Sequence, residues 1–226
     1  GRFRLRRGLD RQKDQSYVLY SADQTVLSRV IMPLGEVQKS ETRDIAHRHG
    51  LPIAAKPESQ EICFVTEGDY RGFLAGKLDD LPGRGAIVND AGERIGSHNG
   101  YVNYTVGQRR GLNLPGPEKK YVLRVDPRRN EVVVGREDQT YSTSLEADDV
   151  VFVGRDLERP ARLTAMTRYN SFPATGLVTP LDNGCVRLDF ERPQRAVTPG
   201  QAVVFYDGDE VVGGGTIKTG GWAASV

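Results

Sequence analysis

From about Gly85 onward the hydrophobic pattern changes to one dominated by a period of two, and this change constrains the fold more than any other feature of the chain. Alternation points one face of a strand at a core and the other at water, a pattern that no helix can use. "GAIV-NDAG-ERIG", "YVLRV-DPRRN-EVVVG", "ATGLVTPL-DNG-CVRLDF" and "AVVFY-DGD-EVVGGGTI" read as hairpins, and "DVVFVG" and "ARLTAMTRY" as strands between them. After about residue 138 no helical pattern interrupts the short strands and their Gly, Asn and Asp turns, so this part reads as an antiparallel barrel or sandwich.

The first third obeys different rules. "FRLRRGLD" is strand-like, "DQSYVLYSADQTVLSRVI" suits one or two helices, and "MPLG" breaks the pattern. Ser40 is the expected cap of a helix over "ETRDIAHRH" that stops at Gly50, with Pro52 just beyond. Thr66, three residues before Asp69, opens a further helix with Tyr70, Phe73, Leu74 and Leu78 on one face. The order is therefore helical, then mixed, then all-β, and the opening at Gly1 reads as the middle of a longer protein.

With 226 residues, 38% of them hydrophobic and 27% charged, the chain has the composition of an ordinary globular protein. No apolar run approaches the ~18–20 residues that span a bilayer, so no membrane is expected. Two cysteines, Cys63 and Cys185, make no disulfide framework and three histidines make no zinc site, which reads as a cytoplasmic protein with free thiols. The net charge is only +1, but "GRFRLRRGLDRQK" holds six Arg or Lys against one Asp, and "GQRR" and "DPRR" add basic pairs. Solvated loops explain each patch singly; together they suit phosphate contact, which needs only a local stripe of charge.

Cys63, in "KPESQEICFV", admits two readings: a small buried hydrophobe between Ile62 and Phe64, or a thiol activated near a helix N-terminus. Cys185 is expected to be incidental, since alternation sets Val186, Leu188 and Phe190 on the opposite face. In "YVNYTVGQRRGL", Tyr101 and Tyr104 beside Arg109 and Arg110 match either an RNA-stacking segment or a strand ending in a solvated basic turn. His47 and His49 on a helix and His98 in a turn are read as structural or surface residues. "GGGTIKTGG" is a glycine-rich strand end, since it lacks both the Lys-Ser/Thr ending of a phosphate loop and the helix after it.

Several stretches together resemble one family, the bacterial-type tRNA-specific 2-thiouridylases. They are "LRRGLDRQKDQSYVLY", "PLG" and "GLP" around a helix, "SQEICF", "HNGYVNYTVGQRRGL", "TRY" and "ERPQRAVTPGQAVVFYDGDEVVGGGTI". The resemblance implies an α+β, multidomain chain: residues 1–64 the helical remainder of an α/β ATP-pyrophosphatase-type catalytic domain, 65–137 a small mixed central domain rich in β, and 138–226 a C-terminal antiparallel β-barrel. It implies sulfur transfer to C2 of wobble uridine 34 in tRNA for Lys, Glu and Gln. ATP, with Mg, would be held by an upstream Ser-Gly-Gly-x-Asp-Ser loop absent from these residues, so the chain alone is expected to be inactive.

By this resemblance Cys63 carries the catalytic persulfide, charged by a sulfur-relay protein or cysteine desulfurase, and a second cysteine upstream of Gly1 completes the redox pair. The resemblance places tRNA contacts at Lys13, Asp14 and Gln15, at Arg168 and Tyr169, and at Gln201. Arg109 joins them on charge and aromatic interleaving alone. The competing expectations are a non-catalytic RNA-binding module built on the barrel, and a thiol-dependent redox enzyme using Cys63.

Overall fold

A computed structural model of the protein describes residues 1–55, 82–169 and 171–220. The described residues are mostly β with few helices, and they form two compact units: 82–141, and 1–55 together with 142–220. None of the described helices is long and apolar enough to cross a membrane. The helix expected to open at Thr66 lies outside the described residues, as does Cys63.

In the unit 82–141, β1 (Arg84–Val88) and β2 (Arg94–Asn99) form one hairpin, and β3 (Tyr121–Asp126) and β4 (Glu131–Gly135) form another. Parallel pairing of β1 with β4 joins the two into one sheet of order β2-β1-β4-β3. Ile87, Val122, Val132 and Val134 are its core, with Leu112 packed against them. His98 departs from expectation. It lies on β2, paired with Gly85, and its ring is 2% exposed against Tyr104. The Gly, Ser and Asn around it suggest a turn, but backbone pairing with β1 overrides that local preference.

The larger unit contains a closed barrel of order β10-β5-β8-β7-β6-β9. Its strands are β5 (Tyr141–Phe152), β6 (Ala161–Met166), β7 (Ala174–Pro180), β8 (Val186–Arg195), β9 (Ala202–Asp207) and β10 (Glu210–Gly220). Closure removes the unpaired edges that an open sheet would present. Leu145, Leu163, Val178, Leu188, Val203 and Phe205 fill the interior. Val186, Leu188 and Phe190 point inward as alternation requires, and Cys185 stays half-exposed at the start of β8.

Residues 5–27 lie against the barrel's outer wall. Leu5, Tyr17 and Leu27 pack on Val204, Tyr206 and Val211, so β9 is buried on both faces. Backbone bonds from Val211 N–H to Leu5 C=O and from Arg7 N–H to Asp209 C=O attach the first residues beside the β9–β10 hairpin, with a single bridge, Arg6↔Glu210, instead of a full strand. Only a 3-10 turn (Ser16–Leu19) and the one-turn α1 (Gln24–Leu27) form where one or two helices were expected. Tertiary bonds account for the difference. The Gln24 amide donates to Val153 C=O (2.7 Å) and to Phe3 C=O (2.9 Å), holding the chain in short pieces against the barrel.

The second helix, α2 (Lys39–Arg48), begins one residue before the expected cap, after Gln38. Ser40 therefore lies inside it, and the carboxylate of Asp10 takes over by accepting the Lys39 N–H (3.1 Å). At the other end Gly50 (φ +62°) bonds His47 C=O and Leu51 bonds Ala46 C=O, the paired closure that favours a left-handed glycine.

The glycine run of β10 makes room for this arrangement. A Cβ on Gly214 would stand 2.6 Å from both the Tyr20 ring and the Val203 carbonyl. The substitution Gly214→Ala is therefore expected to lower stability by about 1–3 kcal/mol, measured by denaturant unfolding, because one of the two neighbours is backbone and cannot yield.

Candidate nucleic-acid interface

Strand pairing brings two loops together at one end of the barrel. Met166, the last residue of β6, pairs with Val204 near the start of β9, so the β6–β7 loop (167–173) lies beside the β8–β9 loop (196–201). The Arg168 guanidinium joins the loops by donating to Ala196 C=O (2.7 Å), which also accepts from the Thr198 hydroxyl (2.9 Å). Ala196 holds this carbonyl in place at φ +54°, a left-handed conformation that a Cβ disfavours. Gln201 closes the loop, its N–H donating to Thr198 C=O and its C=O accepting from Ile217 N–H.

The N-terminal segment reaches the same end. The Tyr17 hydroxyl donates to Ala202 C=O (2.7 Å), and its ring lies 6.1 Å from that of Tyr169. Gln15 Nε2 donates to the Tyr169 hydroxyl (2.6 Å). Burial pushes the Tyr17 hydroxyl up to about 12, aided by Tyr20 and Tyr206 and opposed by the charge of Arg168. Gln15, Arg168, Tyr169 and Gln201, expected from sequence to share a role, thus belong to one connected neighbourhood. Lys13 is exposed on the segment leading into it.

Asp14 has a different environment from its neighbours. Its side chain is 7% exposed and its carboxylate accepts from Arg7 Nε (2.9 Å), Gly8 N–H (3.0 Å), Ser16 N–H (3.0 Å) and Ser16 Oγ (2.9 Å). Burial acts to raise its pKa, but the backbone bonds from Ser16 and Gly8 and the side chains of Arg7 and Ser16 outweigh it, leaving the carboxyl below its ordinary value. Arg7 in turn lies over the Tyr206 ring (5.1 Å). Apart from the proximity of Arg7 to Asp14, nothing in the residue pattern announces this cluster. Beside it, a cavity of about 370 Å³ is lined by Lys13, Gln15, Met32, Leu34 and Lys39.

Arg109 belongs to the other unit, exposed on a loop that the Gln108 amide braces by accepting from Thr105 N–H (3.0 Å) and donating to Arg110 C=O (2.9 Å). Tyr101 and Tyr104, which the sequence allows as RNA-stacking partners or as part of a strand, are half-buried and pack against the core of the sheet. The segment is a 3-10 turn followed by loop, not a strand. Cys185 lies at the opposite end of the barrel from the two loops, where Pro180 pairs with Val186.

Three family models match the chain in succession: a tRNA methyl transferase HUP domain over residues 1–67, a tRNA methyl transferase PRC-barrel domain over 71–136, and an aminomethyltransferase beta-barrel domain over 142–217. Among similar proteins, the tRNA-specific 2-thiouridylase MnmA of Pelotomaculum thermopropionicum is 47% identical over 98% of this chain and 60% of its own length. The namesake proteins of Acetivibrio thermocellus (45% identical; 96% of this chain, 61% of theirs) and Moorella thermoacetica (47%; 97% and 62%) match similarly. Along nearly its whole length the chain is similar to tRNA-specific 2-thiouridylases. It spans about 60% of the length of these relatives.

Because the folded pKa of Asp14 lies below its unfolded value, the stability it contributes is present in full above about pH 4 and is lost as pH falls through the lower folded value. The variant Asp14→Ala is expected to lose about 3 kcal/mol at neutral pH, by stranding Arg7 in a largely buried site. It should also show a flatter acid limb in urea unfolding followed from pH 7 to pH 3.

Proposed function

We propose that this chain is the tRNA-holding and sulfur-carrying part of a tRNA 2-thiouridylase, a sulfurtransferase that places sulfur on C2 of wobble uridine 34 in tRNA for Lys, Glu and Gln. The observation that carries this reading is the match to proteins of that name over 96–98% of the chain at 45–47% identity. In this reading residues 1–64 are part of the catalytic domain, 65–137 the central domain and 138–226 the barrel, all in the cytoplasm. Among the described residues, ten of the fifteen exposed large hydrophobic side chains fall within residues 1–55, and α2 buries none of its own. Both features support a first domain larger than the part in this chain.

Cys63 carries the outer sulfur as a persulfide, loaded by a sulfur-relay protein or cysteine desulfurase. Once that sulfur has passed to the tRNA, the sulfur of Cys63 is left bonded to a second cysteine thiol, and a cellular reductant reopens the disulfide. ATP with Mg would supply activation of the C2 oxygen. The glycine run of β10 does not fit its phosphates: Cβ positions on Gly213 and Gly215 already meet the carbonyls of Val151 and Asp148. The family resemblance, not this glycine run, points to an upstream Ser-Gly-Gly-x-Asp-Ser loop for nucleotide binding.

For the tRNA, Lys13 and Gln15 face the ligand with Asp14 fixing the segment from within, and Arg168, Tyr169 and Gln201 form the adjoining barrel end. Arg109 adds charge from the central domain. Basic contacts of this kind release counterions, so affinity is expected to fall linearly on a log–log plot against salt, and Lys13→Ala should flatten the slope by about one unit.

The reaction is tested by mass spectrometry of wobble nucleosides from cells that lack the native activity and carry the full-length gene. Wild type should restore 2-thiouridine and Cys63→Ser should leave it at background. Restoration by both would return Cys63 to a structural role, and restoration by neither would favour a non-catalytic RNA-binding module.

A further inference from the structure

Phe172 is 95% exposed, more than any other large hydrophobic side chain among the described residues. Scattered half-exposed apolar residues are normal on a protein surface, and Leu177 (45%) and Leu181 (42%) of the same barrel are of that kind. A phenyl ring almost wholly in water is different, because it forgoes nearly all the burial that favours keeping an aromatic residue in a folded chain.

The backbone around it is held. Ser171 N–H donates to Arg168 C=O (3.2 Å), closing a turn directly before Phe172, and Pro173 confines Phe172 itself to extended conformations. With only two side-chain torsions, the ring is presented at low entropic cost. Its loop is the one that carries Arg168 and Tyr169. Positive charge runs toward it as well. The pairing Gly176↔Phe190 leaves two residues of β7 before Gly176 but five of β8 after Phe190, so β8 extends beyond β7 on the side of this loop. Arg192 and Arg195 are exposed on that extension.

We propose that Phe172 is a stacking platform for an unpaired base of the bound RNA, with the guanidinium groups of Arg192 and Arg195 drawing the adjoining phosphates. The inference rests on the RNA-binding reading above and extends it to a residue outside the motifs that led there. An exposed aromatic ring at the same barrel end as exposed guanidinium groups has the chemistry that holds single-stranded nucleotides, since every base has a face to stack and every nucleotide a phosphate to pair.

The test measures the affinity of the full-length protein for fluorescently labelled tRNA at several salt concentrations. It compares wild type with Phe172→Ala, Phe172→Leu and Phe172→Trp. Stacking predicts that Ala and Leu weaken binding by about tenfold at every salt concentration, with an unchanged salt slope because no charge is removed. Trp should keep wild-type affinity, and its added emission should be quenched by tRNA. Thermal unfolding should be the same for all four, since the ring is in solvent.

Salt-dependent binding by wild type with no loss in the Ala variant would overturn the stacking role and leave the RNA reading intact. Equal affinity of Leu and Trp would also overturn it, pointing to an apolar protein partner. A wild type without tRNA affinity would overturn both.

Discussion

The carboxylate of Asp14 stands where the N-terminal segment meets the outer wall of the barrel, and the arrangement of residues 5–17 follows from the need to satisfy it. A buried carboxylate left without partners costs several kcal/mol, more than a small domain can readily absorb. Four donors from Arg7, Gly8 and Ser16 converge on it, and none is more than seven positions from Asp14. The segment must therefore fold back around Asp14 whenever it is buried. Apolar contact by Leu5, Tyr17 and Leu27 supplies most of the attraction to the barrel, but such contact is not directional. The Asp14 cluster selects one register from the many that would bury similar area.

That register determines what the far end of the segment can do. With Ser16 and Tyr17 fixed, Gln15 is brought to the Tyr169 hydroxyl and Tyr17 to the Ala202 carbonyl, so the segment and the barrel end become one surface. Most ion pairs elsewhere on the barrel unit, such as Arg162–Glu191 and Arg155–Asp207, are well exposed and screened by solvent. They neutralise charge over the outside of the barrel without organising it. The buried cluster organises a surface and the exposed pairs do not.

Much of the β architecture was legible in the sequence, because a period of two and Gly, Asn or Asp turns leave little freedom to a strand. All four expected hairpins form. The sequence was less informative wherever a distant partner decided the outcome. The helices expected over residues 14–31 shrink to single turns because Gln24 bonds to Val153, and the cap expected from Ser40 comes from Asp10. His98 is a strand residue whose partner is 13 positions earlier. The continuous apolar run of β9, "AVVFY", was the one local hint that a second layer covers the barrel, since a strand facing water alternates. At the candidate interface, motif resemblance pointed to Gln15, Arg168, Tyr169 and Gln201, which are far apart in sequence. It could not foresee that Tyr101 and Tyr104 spend their rings on the core of the other unit.

Two features at one end of the barrel contribute nothing to its stability, and the first of them costs some. Ala196 holds a left-handed conformation that glycine would adopt without strain, and Phe172 leaves its ring in water where a polar residue would solvate at no cost. A barrel shaped by stability alone would have neither. The strained carbonyl of Ala196 fixes the Arg168 guanidinium, whose free motion would otherwise have to be lost on binding, and the turn that follows Arg168 lifts Phe172 outward. The proposed RNA-binding role accounts for both local choices, which share one loop pair and would otherwise go uncompensated.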